Sequence, residues 1–387
     1  MVMLVFTLIS LLLFALYGVL IAWYRKAWTE IPDYASGAGR PRPHTTISVL
    51  VPARNEEKNI EACLRSLFDQ AYPKELYEVI VIDDHSTDGT WDLLNNLYFP
   101  EMSTMKLRLA DTVAGTVKAH KKFAIETGIG AATGELIVTT DADCEFHPDW
   151  LATIASFYAA TGAKFIAAPV RIGAAEGTHS FLSIFQTLDF ITLQGITGAA
   201  VHRRFHSMCN GANLAYEKKA FHEVDGFRDI DDIPSGDDML LMHKIYERYP
   251  GQVYFLKSRQ AIVSTRPETS WDGFINQRVR WASKADRYDD KRIFRVLLLV
   301  YGINLLFIIL LVGACWNNWY LWVLLALLVA KTMVEYPFVR TVSRFFGQER
   351  LMVYFPLLQP FHIFYTVVIG WLGKFGSYQW KERKITK

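Results

Sequence analysis

The chain begins with an uncharged stretch that is long enough to cross a membrane. Residues 1–24 carry no charged side chain, and Arg25 and Lys26 follow. At about 1.5 Å per residue, a helix of this length exceeds a hydrocarbon core of about 30 Å. A cleavable signal peptide would show a basic start, a shorter apolar run and a small-residue cleavage site, and this stretch has none of them. We therefore expect residues 1–26 to be an uncleaved transmembrane anchor and the Gly- and Pro-containing segment 27–45 to be a linker.

Two further apolar stretches lie near the other end. Residues 296–330 are too long for one crossing and are interrupted by a polar, Trp-flanked turn at 315–319, which predicts a transmembrane helical hairpin at 291–335. The second stretch contains Pro356 and Pro360, which remove backbone donors and kink or break a helix. For residues 336–387 we expect a cytoplasmic loop, a Pro-broken membrane or re-entrant segment, and a basic tail.

Lysine and arginine beside these stretches predict the orientation, because basic flanks stay in the cytoplasm. Arg25 and Lys26, and then Lys291 and Arg295, place the central region 46–290 in the cytoplasm. The tail after residue 373 is also basic, so a full crossing by the last apolar stretch would put it on the wrong side. We expect a multi-pass protein of the inner or plasma membrane, with its catalytic domain cytoplasmic.

Composition excludes several classes of protein. A net charge of +2 is too small for a nucleic-acid footprint. Cys63, Cys144, Cys209 and Cys315 are scattered without Cys-x-x-Cys spacing, which favours neither a zinc site nor a disulfide framework. Residues 46–290 are enough for one large α/β domain with its own core, or for one domain with an appended half.

Strands and helices alternate at the start of this domain. Ile47–Val51 and Val79–Ile82 are short runs rich in β-branched residues, with apolar residues at helical spacing between them. A helix at His120–Ala132 precedes a third strand at Leu136–Thr140. This order predicts a β-α-β unit and an α/β fold with a parallel sheet.

A helical stripe of apolar residues further along leaves two interpretations open. Phe181, Ile184, Phe185, Leu188 and Ile191 recur at helical spacing. The helix could belong to the domain core, which is the more common arrangement, or lie in the lipid interface.

Acidic pairs follow the second and third strands, where an open parallel sheet binds its ligands. Asp83 and Asp84 exceed what one helix cap requires, whereas Asp88 could be a cap or a ligand residue. Asp141 and Asp143, two residues apart, can reach one hard cation such as Mg²⁺ or Mn²⁺.

A third acidic pair and a basic-aromatic cluster complete the set. Asp237 and Asp238 begin a helix, where the helix dipole alone favours acidic residues. Gln277 and Trp281 share one helix face, with Arg280 beside them. Arginine can bind a diphosphate and tryptophan can stack on a sugar, although a tryptophan here could also anchor the chain at the membrane surface.

These motifs, in this order, resemble those of inverting family 2 glycosyltransferases, in the integral-membrane branch that includes cellulose, chitin and hyaluronan synthases and ceramide glucosyltransferases. The resemblance covers about residues 46–285 and rests on five motifs: Val51–Glu57, Ile82–Asp88, Asp141–Asp143, Gly236–Asp238 and Gln277–Trp281. It implies an α/β, Rossmann-like GT-A glycosyltransferase domain with N-terminal and C-terminal transmembrane helices.

The resemblance also implies a role for each matching residue. The donor-binding set is Pro52, Ala53, Arg54, Asn55, Glu56, Asp83, Asp84, Asp141 and Lys122. Asp143, with Asp141, would hold Mn²⁺ or Mg²⁺, and Asp238, with Asp237 beside it, would be the catalytic base. Gln277, Arg280, Trp281 and Asn210 would contact the diphosphate and the acceptor. Lys122 departs from the family pattern, and a solvated helix face is the alternative there.

The expected activity is therefore transfer of a sugar from a nucleotide-sugar donor, UDP-linked, to a lipid or lipid-linked glycan acceptor at the cytoplasmic membrane face. A processive polysaccharide synthase is the alternative within the same family. A metal-dependent lipid-carrier phosphoryl or nucleotidyl transferase, or an inactive sugar-nucleotide-binding scaffold, is the alternative from another class. A metal ion and an arginine suit a reaction in which negative charge builds on the leaving group.

Overall fold

The computed structural model describes residues 2–35, 44–100, 102–109, 119–173, 180–231, 233, 236–284, 291–380 and 383–385. The chain divides into two compact units, each built from separate stretches of sequence. The helical unit comprises Met1–Ile31, Ala174–His206 and Pro267–Lys387, and the α/β unit comprises Pro32–Gly173 and Ser207–Arg266.

The α/β unit contains ten of the described strands. They are β1 Ile47–Ala53, β2 Tyr77–Asp83, β3 Ser103–Arg108, β4 Leu136–Thr139, β5 Glu145–Phe146, β6 Phe165–Ala167, β7 Val170–Ile172, β8 Leu214–Glu217, β9 Val253–Phe255 and β10 Val263–Thr265. Seven strands form one sheet in the order β3-β2-β1-β4-β8-β6-β9, and β5, β10 and β7 form a second.

The first half of the large sheet is parallel, as the sequence predicted. β1 pairs in parallel with both β2 and β4, and the register sets Ala53 opposite Asp83. β8 runs antiparallel to β4 and β6, so the sheet as a whole is mixed. Every residue of β2 is buried, because β-branched and other apolar side chains line both faces. The predicted strands are confirmed, and their carboxyl ends share one edge.

The helices of the α/β unit lie between its strands in the sequence. They are α2 Ile60–Phe68, α3 Thr90–Asn96, α4 His120–Ala131, α5 Trp150–Thr161, α7 Lys218–Glu223 and α8 Asp237–Arg248. On α2 the apolar side chains predicted at helical spacing are buried, from Ile60 to Leu67. The amphipathic pattern therefore fixes which face of α2 is covered.

Glu78 joins β2 to the turn before β4. Its Oε1 accepts from the Ser48 hydroxyl at 2.6 Å and from the backbone N–H and hydroxyl of Thr133 at 2.6 and 2.7 Å. Burial raises the pKa of Glu78, but these hydrogen bonds outweigh it and hold the pKa below its ordinary value. Gly134 follows at a close approach, since an added Cβ would lie 2.5 Å from the backbone nitrogen of Ser48.

We expect Glu78→Gln to destabilise the protein by about 2 kcal/mol, because a neutral amide makes weaker hydrogen bonds than a carboxylate. The wild-type contribution is present above the ordinary glutamate pKa of about 4.3 and is lost as pH falls through the lower folded value. Denaturant unfolding of both proteins between pH 3 and pH 7 measures this. The prediction would be contradicted if the difference in the free energy of unfolding between the two proteins stayed the same as the pH falls.

The helical unit contains six of the described helices and a hairpin. They are α1 Val2–Glu30, α6 Phe181–His202, α9 Trp271–Ala282, α10 Lys291–Gly313, α11 Asn318–Phe345 and α12 Phe355–Phe375, followed by β11 Tyr378–Trp380 and β12 Arg383–Ile385. Among the described residues four helices are long and apolar enough to cross a membrane, namely α1, α10, α11 and α12. The predicted anchor and the predicted helix pair are both present as helices.

The last apolar stretch differs from expectation, because α12 is one continuous helix and is not broken by proline. Pro356 lies in its first turn, where a backbone N–H has no partner within the helix in any case. Pro360 removes a single hydrogen bond one turn later. The prediction that proline breaks this segment is therefore wrong.

The helix with the apolar stripe, α6, belongs to the helical unit and packs against α1 and α11. Gly195 marks the closest approach, since an added Cβ would lie 2.5 Å from Cγ2 of Val342 on α11. Of the two interpretations open from sequence, the structure supports the core, because every residue of the stripe except Phe181 is buried. That core belongs to the helical unit.

Candidate active site

The loop after β1 is held by hydrogen bonds to the turn after β2. Arg54 donates to the carbonyls of Asp84 and His85 at 2.6 and 2.8 Å. Asn55 adopts a positive φ of 53°, and its Oδ1 accepts from the Thr87 backbone N–H at 2.9 Å. The structure thus brings together the predicted donor-binding segments 52–56 and 83–84.

Asp83 ends β2 as a carboxylate with 0% exposure. Its Oδ2 accepts from the Ser86 N–H at 3.4 Å and lies 3.6 Å from Nε of Arg108. Its Oδ1 is buried and has no hydrogen-bond partner among the residues that the structure describes. A buried acceptor without a partner is costly, so this oxygen is suited to receive a donor from a ligand.

Asp84 and Asp88 have different surroundings. Oδ1 of Asp84 lies 3.0 Å from Nδ1 of His85 and 3.5 Å from Nδ1 of His120, two histidines that the sequence analysis did not select. Asp88 accepts from the backbone N–H of Thr90 at 3.0 Å, at the start of α3. Partial burial raises the pKa of Asp88, but its hydrogen bonds, above all those from Thr90, lower it. The N-cap residue of α3 is Gly89 and not Asp88, so this hydrogen bond supports the first turn of α3 from one residue before the cap.

Lys121 joins the second and third acidic pairs. Its Nζ lies 2.6 Å from Oδ1 of Asp141 and 3.7 Å from Oδ2 of Asp237. Burial disfavours the charged ammonium, yet Asp141 and then Asp237 raise the pKa of Lys121 above its ordinary value. One cation therefore sits between carboxylates from two distant parts of the sequence, and the sequence analysis missed it.

Lys122, which the sequence analysis placed at the donor, has another environment. It is 2% exposed, and its Nζ donates to the carbonyls of Ile230 and Ile233 at 2.5 and 2.8 Å. The alternative of a solvated helix face is therefore wrong. Its ammonium binds the segment before α8, whereas the adjacent Lys121 is the lysine that meets Asp141 and Asp237.

Asp143 has neutral neighbours. Its Oδ2 accepts from the Thr265 hydroxyl at 3.0 Å, and the Cys144 thiol donates to its Oδ1 at 3.6 Å. No group of three metal-ligating side chains occurs in the described part of the chain. Mg²⁺ and similar ions are commonly held by one or two carboxylates plus substrate phosphates, so Asp143 with Asp141 fits an ion that arrives with a diphosphate.

Asp237 and Asp238 begin α8, after Gly236 in a left-handed conformation with φ of 81°. Asp238 accepts from the backbone N–H groups of Gly211 at 3.1 Å and Met239 at 2.8 Å. Asn210 shapes the same turn, because its Oδ1 accepts from the Ala212 N–H at 3.0 Å. The turn at 210–211 and the acidic start of α8 are thus brought together, and the acidic pair also lies where the helix dipole favours it.

The basic-aromatic cluster lies on α9, in the helical unit. Ser270 caps this helix by accepting from the Gly273 N–H at 3.1 Å. Gln277 donates to Oε1 of Glu268 at 3.1 Å, and the Trp281 ring lies 6.0 Å from the Phe190 ring. Gln277, Arg280 and Trp281 are therefore on one helix, as the sequence predicted.

The family model described as glycosyl transferase family 2 matches residues 48–224. Glycosyltransferase AglE of Haloferax volcanii is 31% identical over 125 residues, which are 32% of this chain and 39% of AglE. The dolichyl N-acetyl-alpha-D-glucosaminyl phosphate 3-beta-D-2,3-diacetamido-2,3-dideoxy-beta-D-glucuronosyltransferase of Methanococcus voltae is 33% identical over 106 residues, which are 27% of this chain and 31% of that protein. The matches therefore span less than half of the length of either relative.

One solved structure has a similar fold. The mannosyltransferase PcManGT from Pyrobaculum calidifontis, in complex with GDP-Man and Mn²⁺, aligns with a TM-score of 0.56 at 19% identity, over 92% of this chain and 99% of that chain. At this level of identity the likeness concerns the fold, and the ligands belong to that protein.

Proposed function

Since the chain carries a family 2 glycosyltransferase domain of GT-A fold at residues 48–224, we propose that it transfers a sugar, with inversion, from a nucleotide-sugar donor to a lipid or lipid-linked acceptor. The observation that carries this proposal is the cluster of Lys121, Asp141, Asp237 and Asp238 at the start of α4, after β4 and at the start of α8. Lys121 supplies a positive charge for the leaving diphosphate. The carboxylates can bind a metal ion and accept the proton of the attacking hydroxyl.

We assign the nucleobase as uracil from the surroundings of Asp83. Only Oδ1 of this carboxylate lacks a partner among the described residues, because Oδ2 already accepts from Ser86. Uracil presents a single N–H on its pairing edge, whereas guanine presents two adjacent donors that suit both oxygens of one carboxylate. The loop 52–56 would line the rest of the nucleoside site, with Asp84 beside it.

The acceptor hydroxyl attacks the anomeric carbon as the bond from that carbon to the diphosphate oxygen breaks. A metal ion bound at Asp143 and Asp141 would neutralise charge on the diphosphate. Lys121 adds a fixed positive charge for the same leaving group, and Arg280 of α9 is proposed to contact it as well. A single displacement on the face opposite the leaving group inverts the anomeric configuration.

The proton of the attacking hydroxyl passes to Asp238. Asp237 lies 3.7 Å from the Lys121 ammonium, which holds it as an ion-pair partner. The backbone N–H groups of Gly211 and Met239 donate to Asp238 and fix the direction of its carboxylate. We therefore propose Asp238 as the general base, because a base must be held in hydrogen-bond reach of the proton it takes. Gln277, Trp281 and Asn210 are proposed to bind the acceptor.

The path of α12 supports a cytoplasmic active site and a cytoplasmic tail. Before α12, Glu349 lies 3.0 Å from Arg344 near the end of α11. After α12, β11 packs against α9, and Gly373 lies against Ala282 at the end of α9. If α10 and α11 cross as a hairpin, the end of α11 and the start of α10 share one side of the membrane, so both ends of α12 lie there. Because α12 is one unbroken helix, it has no turn at which to re-enter, so we propose that it lies in the membrane interface.

This path predicts the labelling pattern of two cysteines. Cys315 is exposed in the turn between α10 and α11, whereas Cys63, Cys144 and Cys209 are buried. We expect a membrane-impermeant maleimide to label Cys315 in intact cells. In a Cys315→Ser background, Lys387→Cys should be labelled only after the membrane is opened, because the basic tail stays cytoplasmic. Labelling of that tail in intact cells would overturn the interfacial placement of α12.

The proposed function is tested by incubating the detergent-purified chain with a panel of nucleotide sugars and the lipids of its source membrane, followed by mass analysis. We expect one sugar added to a lipid and release of a nucleoside diphosphate, with the uridine donor preferred. Long polymer on the lipid would indicate a processive synthase, and transfer of phosphate or nucleotide would indicate the other transferase class. An absence of any transfer with retained donor binding would indicate a binding scaffold.

A further inference from the structure

One buried guanidinium on α9 has no part in the chemistry above. Arg278 is 2% exposed, and its Cζ lies 4.2 Å from the centroid of the Trp281 ring and 4.9 Å from that of Phe274. A planar guanidinium at this distance attracts the face of an aromatic ring and restricts its rotation. Trp281 also lies against Phe190 of α6, with ring centroids 6.0 Å apart. The Trp281 side chain is therefore held from two sides.

Arg278 is in turn held by a carboxylate from another helix. Its NH2 lies 3.1 Å from Oδ2 of Asp189 on α6, and both side chains are buried. Oδ1 of the same carboxylate lies 3.9 Å from Nε2 of His362 on α12. A buried charge without a partner is strongly unfavourable, so Asp189 sets where the guanidinium lies. Asp189 thus links α6 to α9 and α12 and sits next in sequence to Phe190.

The Arg278 side chain points to a different face of α9 from Gln277 and Arg280. Successive residues on a helix point about 100° apart, so Arg278 faces away from the side of α9 that carries Gln277 and Arg280. Trp281 lies three residues on and shares its face with Arg278. The contact that joins Arg278 to the motif is therefore its stack on the Trp281 ring.

We propose that Asp189 and Arg278 are positioning residues that hold Trp281 in the orientation in which it binds the acceptor. This inference rests on the proposed function, in which Trp281 contacts the acceptor. It extends the site to a buried ion pair between two helices that carries no substrate contact of its own. The proposed donor site lies on other residues, so a change in this pair should weaken acceptor binding and leave donor binding unchanged.

The test is a double-mutant cycle on full-length protein in detergent, with transfer and donor hydrolysis measured together. Arg278→Lys keeps the charge for Asp189 and loses the planar stack on Trp281. We expect it to raise the acceptor KM by about tenfold, in line with a buried cation–π contact, with the donor KM unchanged. The ratio of donor hydrolysis to transfer should rise, because a misplaced acceptor leaves room for water. Asp189→Asn should act in the same direction.

The same substitution in a Trp281→Ala variant decides whether Arg278 acts through Trp281. In Trp281→Ala, adding Arg278→Lys should change the acceptor KM by less than about twofold, because the ring on which Arg278 acts is absent. Additive effects, or equal changes in donor and acceptor KM, would overturn the proposal. Lys331→Met is the matched control, since it breaks a buried ion pair with Glu335 on α11 in the same unit. It should lower the melting temperature without changing the acceptor KM. If the wild-type chain transfers no sugar at all, the proposed function fails before this inference is reached.

Discussion

Replacement of Asp238 by asparagine is expected to lower turnover by about a thousandfold while the donor still binds. Asparagine has nearly the same shape and can still accept a backbone N–H from Gly211 or Met239, so the start of α8 should stay folded. It cannot take up the proton of the attacking hydroxyl, and general-base catalysis contributes about 10²- to 10⁴-fold. Single-turnover transfer measures the loss, and equilibrium binding of the nucleotide sugar measures what is retained.

The matched control is Asp237→Asn, next in sequence and also in the first turn of α8. It removes a partner of Lys121 and leaves the proposed base in place, so its effect on turnover should be at least tenfold smaller than that of Asp238→Asn. A variant with asparagine at 238 that turns over normally would reject the assignment of the base. A larger loss at 237 would move the base to Asp237.

The second large effect is expected at Asp143. We expect Asp143→Asn to lower transfer by about two to three orders of magnitude, because a ligand for the charge-neutralising cation is lost at the diphosphate. In the wild type, adding Mn²⁺ should tighten donor binding and a chelator should weaken it. In the variant this metal dependence of donor binding should be largely absent. Calorimetric titration of the donor with and without Mn²⁺ measures the difference independently of turnover.

Asp92→Asn is the control for Asp143, because Asp92 is an exposed carboxylate on α3 and its loss changes the same net charge. It should leave both transfer and metal-dependent binding at wild-type levels. Donor binding that responds to Mn²⁺ equally in wild type and Asp143→Asn would place the ion elsewhere. Transfer that survives complete chelation in the wild type would remove the metal from the proposed reaction.

The sequence predicts well those parts of the fold that local patterns determine. β1 and β2 are short β-branched runs that must be buried on both faces. The structure extends β1 by two residues at its end, and β2 by two residues at its start and one at its end. Because parallel strands end at one edge of a sheet, the positions of Asp83 and Asp141 follow from the strands alone. Loop 52–56 and the turn after β2 are joined by hydrogen bonds, and both contain residues that the sequence placed in the donor-binding set.

Features that depend on tertiary packing were not predictable from one sequence. Lys121 and Lys122 are adjacent on α4, so their side chains point about 100° apart, and only the packing of α4 shows which one meets Asp141. The apolar stripe of α6 fits any apolar environment equally well, and its partners are helices from both ends of the chain. The ion pair of Asp189 and Arg278 joins residues far apart in sequence and has no local signature.

Each of the two units is built from separate stretches of sequence, and this limits where the chain can be cut for expression. The chain leaves the α/β unit after Gly173, returns at Ser207 and leaves again after Arg266. A soluble fragment cut at residues 46–290 would therefore carry α6 and α9 but lack α1, α11 and α12, which pack against them. Its uncovered apolar faces would drive aggregation. Expression strategies should keep the full chain in detergent or lipid, or else replace the segment between Gly173 and Ser207 with a short polar connection and end the chain at Arg266.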